Sequence, residues 1–140
     1  MKHLIAAVAA ITVMTACNGA PPNQKVLTDL CSDLFVGDTR TAGMITGEAG
    51  TDLATFCSCF AAQTVAEADK IDVHKDILLT MVEIRSAGNL TVEDTADALE
   101  AKFDSGDIDG ISEQDFDDLG DYFQDLSIEM KAAGGTCPVS

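Results

Sequence analysis

Apolar positions recur along this chain at helical spacing, with polar residues filling the gaps between them. Val26, Leu27, Leu30, Cys31, Leu34 and Phe35 form one stripe that stops before Gly37, which predicts a first helix with Cys31 on its inward face. Residues 37–50 mix four glycines with threonine and charged side chains, keep no period, and read as a loop. Thr51 is placed to cap a second helix running to about residue 68, striped by Leu53, Phe56, Cys57, Phe60, Ala61 and Thr64. A third helix is predicted over 72–87, with Val73, Ile77, Met81 and Ile84 inward and Gly88 as its left-handed stop. Thr91 and Asp94 make a capping-box pair that opens a short fourth helix on Val92, Ala96, Leu99 and Phe103.

The last helix carries the clearest local signals. Ser112 and Asp115 form a capping-box pair, while Ile111 and Phe116 occupy the two positions of a hydrophobic staple. Phe116, Leu119, Phe123, Leu126 and Met130 then keep alternating three- and four-residue steps until Gly134 and Gly135. No segment alternates with the period of two that a half-buried strand needs. The expected fold class is all-α: a small bundle of about five helices, stapled by two disulfides.

The first residues do not belong to that pattern. Lys2 is followed by Leu4 to Met14 without a charge, and then by the small pair Thr15 and Ala16. Eleven residues in a helix span only about 16 Å, roughly half of a bilayer's hydrocarbon core, so the segment reads as a signal peptide rather than a membrane span. Met14-Thr15-Ala16-Cys17 resembles the lipobox of bacterial lipoproteins. That resemblance implies cleavage before Cys17, acylation of Cys17, and attachment to a membrane of the cell envelope on its periplasmic side. Asn18, where Asp would retain a lipoprotein in the inner membrane, leans the expectation toward the outer membrane. Residues 1–16 are then the signal peptide, 17–24 a lipid-anchored tether in which Pro21 and Pro22 delay the helix, and 25–140 an acidic helical domain.

Charge narrows the partners. The chain has 140 residues with 24 acidic and 8 basic side chains, a formal charge of −16. A nucleic-acid backbone would be repelled, because binding it needs clustered Lys and Arg that displace counterions. From Glu93 to Glu129 there are fourteen acids and one base, Lys102. Gln114, Asp118, Asp121, Asp125 and Glu129 share one side of the last helix, opposite its apolar stripe. Like charges at i, i+4 repel, so a basic protein partner or divalent cations would relieve that face.

Within the acidic half, residues 104–115 resemble an EF-hand loop, whose oxygen ligands stand at positions 1, 3, 5, 9 and 12 around a glycine at position 6. Counted from Gly110, Asp107 and Asp109 fall at 3 and 5, but Ser105 is at 1 and Phe116 at 12. Counted back from Asp115, Asp104 is at 1, but Gly106 and Ile108 take positions 3 and 5. The loop is one residue short in either frame. Asp104, Asp107, Asp109 and Asp115 are therefore candidate ligands for weak calcium binding, no tighter than roughly 0.1 mM, against the plainer reading of a solvated turn with an N-cap. No other cofactor is implied.

Cys31, Cys57, Cys59 and Cys137 remain once Cys17 is set aside, an even number in an exported chain. In one helix Cys57 and Cys59 diverge by about 200° around the axis and cannot bond to each other. Cys57 shares a stripe with Phe56 and Phe60, so it should meet Cys31 across the first two helices, leaving Cys59 for Cys137 and pinning the tail to the outer side of the second helix. A redox role for Cys57-Ser58-Cys59 would need a cation or a helix N-terminus to stabilise a thiolate, and no Lys, Arg or His stands within ten residues. His74 lies among Lys70, Asp72, Lys75 and Asp76 and reads as a surface residue. No catalytic constellation accompanies it, and a chain with no Trp and one Tyr has little with which to build a sugar platform. The expectation is a lipid-anchored envelope protein acting as a non-catalytic interaction or structural module, with weak calcium binding as the alternative.

Overall fold

The computed structural model describes residues 20–138. Six α-helices follow one another: α1 (Pro22–Phe35), α2 (Thr39–Ala49), α3 (Leu53–Ala66), α4 (Ile71–Gly88), α5 (Val92–Ser105) and α6 (Glu113–Ala132), with a 3-10 turn at Ala68–Lys70. No strand occurs among the described residues. The stripes do what their spacing demands. Leu27, Cys31, Leu34 and Phe35 of α1 close against Phe56, Cys57, Phe60 and Ala61 of α3, and α4 adds Ile77, Leu78 and Met81. Leu119, Leu126 and Met130 of α6 and Leu99 of α5 complete the same core. Phe123 gathers the aromatic rings, with centroids 4.7 Å from Phe60, 5.7 Å from Phe35 and 5.8 Å from Phe56.

Both disulfides join the expected partners. Cys31 bonds Cys57 with Cα atoms 5.6 Å apart, and Cys59 bonds Cys137 at 5.3 Å. Cys59 points away from Cys57 as the helical rotation requires, yet it is buried, because the C-terminal tail that it holds also covers it. Gly135 lets that tail pass closely over the end of α2. A Cβ at this position would run into the carbonyl oxygen of Gly50, and its φ of +83° already suits only glycine.

Four boundaries differ from the sequence pattern. Residues 39–49, read as loop, form α2. Gly43, Gly47 and three threonines give this stretch poor helix propensity, but its ends are secured and its inner face is buried. Asp38 caps the start, accepting from the Thr41 N–H at 3.0 Å, and Gly50 ends it at φ +69°. Ala42, Ile45 and Ala49 then face the core, with α2 lying on α6. The first helix starts at Pro22 rather than after a tether extending to residue 24, because proline is well tolerated in a first helical turn, where its missing N–H has no partner to lose. Asp52, not Thr51, caps α3 through the Thr55 N–H at 2.8 Å. Asn89, at φ 48°, takes the left-handed stop of α4, while Gly88 stays inside the helix.

Candidate functional site

Cys17, the expected lipid site, lies outside the described residues. The acidic turn does not bring its four candidate ligands together. Asp115 is committed to the α6 capping box, accepting from Ser112 N at 2.9 Å and Ser112 Oγ at 2.6 Å, and these bonds hold its carboxyl below the usual range. Asp107 accepts from Ser105 Oγ at 2.9 Å, just past the left-handed Gly106 that ends α5. Asp104 and Asp109 are exposed. Among the described residues no three His, Cys, Asp or Glu side chains are placed to share a metal ion. Because the loop is one residue short of an EF-hand, millimolar calcium is expected to add at most about 1.5 kcal/mol. Thermal unfolding in calcium, magnesium and sodium at matched ionic strength checks this; a large calcium-specific rise lost in Asp107→Asn/Asp109→Asn would contradict it.

The site that sequence reasoning missed surrounds His74, which is 4% exposed rather than on the surface. It shares its face of α4 with Ile77, Leu78 and Met81, at the i, i+3, i+4, i+7 positions that mark a core stripe. Its ring stacks on Phe60 and meets Tyr122 edge-on at 5.0 Å, and Nδ1 lies 3.1 Å from the Thr64 hydroxyl. Burial, helped by the Lys70 charge, depresses His74 to about 4. Tyr122 is pushed up to about 12 by burial and by Glu67, whose Oε1 accepts its hydroxyl proton at 3.3 Å. Lys70 pairs with Glu67 at 2.8 Å and sits 4.7 Å above the Tyr122 ring. Outside this group, Asp115, Asp118, Asp121 and Asp125 line one wall of a cleft of about 270 Å³ whose floor is His74 and Tyr122.

That burial makes His74 a determinant of acid stability. The unfolded chain takes up the proton near pH 6.5 and the folded chain only near 4, so the stabilisation is complete above about pH 6.5 and is lost as pH falls toward 4. The loss should amount to roughly 2 to 3 kcal/mol, taken below the full 1.36 kcal/mol per pH unit because the ring borders an open cleft. Denaturant unfolding of wild type and His74→Gln at pH 7.5 and pH 4.5 measures it. The wild type should lose more stability than the variant over this interval, and equal losses would refute the assignment.

At the other side of the bundle, Asp38 is 8% exposed and accepts three hydrogen bonds: from Thr41 N at 3.0 Å, Thr41 Oγ1 at 3.1 Å and Val92 N at 2.8 Å. One carboxylate thereby caps α2 and accepts the first N–H of α5, whose own N-cap is Thr91, and these bonds lower its pKa. Between α2 and α6 lies a third feature, an apolar cleft. No family model, no curated protein and no solved structure matches this chain.

Proposed function

We propose that this chain is a lipid-anchored protein of the bacterial cell envelope that works as a non-catalytic interaction or structural module. The observation that carries the reading is the leader, an uncharged run of eleven residues closed by Met14-Thr15-Ala16-Cys17. Two disulfides suit an oxidising compartment outside the cytoplasm, and among the described residues no helix is long and apolar enough to cross a membrane. A lipid on Cys17 would then be the attachment. Because α1 begins at Pro22, that lipid would hold the start of the bundle within about 18 Å of the bilayer surface, even with the intervening chain fully extended.

The chemistry of the domain favours binding over turnover. All four cysteines of the described domain are bridged, so none offers a thiolate. The Thr64 and His74 pair brings a hydroxyl to an imidazole, but Thr64 is fully buried and out of reach of a substrate. What the surface does present is a dense negative field, which steers and retains cationic partners. Metabolic labelling with a fatty-acid analogue tests the anchor: wild type should take the label and Cys17→Ser should not. Label persisting in the variant would overturn the reading.

A further inference from the structure

The cleft between α2 and α6 has a volume of about 190 Å³; the partly buried Ile45, Phe116 and Phe123 line it together with Thr41 and the core residues Leu34, Phe35 and Leu119. Ile45 and Phe116 are only partly buried, so it opens to solvent, and Met44 beside it on α2 is 64% exposed. A cavity of about 150 Å³ lined by such side chains accepts a benzene ring, so this cleft fits one bulky apolar side chain and not the face of a whole helix.

Gly120 lines the cleft from the middle of α6, a helix of 20 residues, where glycine is less favourable than alanine. No packing requires glycine there, since a Cβ would meet nothing within 4 Å and no positive φ is involved. Gly120 is exposed and lines the cleft, so a larger side chain there has room to grow without displacing a neighbour.

The rim is acidic. Glu48 follows Ile45 by three residues on α2, while Glu113 and Asp117 precede Phe116 and Gly120 by three on α6, and all three acids are exposed. We propose that this cleft is a docking site for a cationic protein segment in which one phenylalanine or leucine, flanked by lysine or arginine, inserts between α2 and α6 while its neighbours pair with the rim. The proposal rests on reading the chain as an interaction module and names the partner's chemistry.

The test uses the oxidised full chain and three fluorescent nonapeptides: lysine-rich with a central Phe, the same with Ala in place of Phe, and glutamate-rich with the central Phe. The cationic Phe peptide should bind about tenfold or more tightly than the Ala peptide. The glutamate peptide should show no measurable binding. Gly120→Leu should abolish the preference for Phe over Ala without lowering the melting temperature. Glu48→Gln/Glu113→Gln/Asp117→Asn should weaken both cationic peptides and flatten their salt dependence, with the Phe preference retained. Equal binding of the Phe and Ala peptides, or a Phe preference that survives Gly120→Leu, would overturn the site. Binding of the glutamate peptide as tightly as the lysine peptide would leave a site for any apolar group and overturn the cationic partner. None of these outcomes depends on acylation of Cys17, so failure here is distinguishable from failure of the anchor.

Discussion

Replacing Cys59 and Cys137 with serine is expected to destabilise the domain by about 4 kcal/mol and to lower its melting temperature by roughly 15 °C. The bridge closes a separation of 78 residues, so opening it restores a large share of the unfolded chain's freedom. The folded state also loses the tail's docking, in which Gln63 Nε2 donates to the Pro138 carbonyl at 2.6 Å. Thermal unfolding of the oxidised wild type and the double variant measures the difference. A shift below about 5 °C would show that contacts under the tail, rather than the crosslink, hold it in place.

Asp38→Ala is expected to cost about 3 kcal/mol, a large effect for a residue outside the apolar core. Its carboxylate is the shared acceptor of two helix starts, and removing it strands the Thr41 and Val92 N–H groups near the interior. Asp38→Asn, which keeps one acceptor oxygen, should lose about half as much. Hydrogen exchange adds a local readout: amides at the starts of α2 and α5 should exchange faster together in the alanine variant. If α2 alone loosens, the bond to Val92 carries little of the coupling.

Where periodicity was dense, sequence sufficed. The stripe from Phe116 to Met130 and its capping box located α6 closely; the rotation between Cys57 and Cys59 excluded a bridge between them, and the inward stripe that holds Cys57 selected Cys31 as its partner. Local pattern was blind to α2 because its stabilising partners are distant. Asp38 is tied to Val92, 54 positions away, and Ile45 and Ala49 find their apolar surroundings only when α6 arrives. With α2 hidden, the apolar cleft could not be foreseen either. His74 was misread for the opposite reason: its charged neighbours in sequence outweighed the i, i+3, i+4, i+7 spacing that places it with Ile77, Leu78 and Met81. The acidic turn was legible as a near match to a calcium loop, but the commitment of Asp115 to Ser112 appears only in three dimensions.

The two covalent loops do not overlap along the chain: one lies wholly before residue 58 and the other wholly after it. For a chain delivered N-terminus first, this sets an order of closure. Cys31 and Cys57 can be oxidised once α1 to α3 have emerged, whereas Cys59 must wait for Cys137 and therefore for α4, α5 and α6. During that interval Cys59 is a lone thiol two residues from a newly formed bridge, exposed to thiol exchange with it. In a chain delivered in this way, slowing its delivery should trap species bridged through Cys59 to Cys31 until the last three helices have emerged.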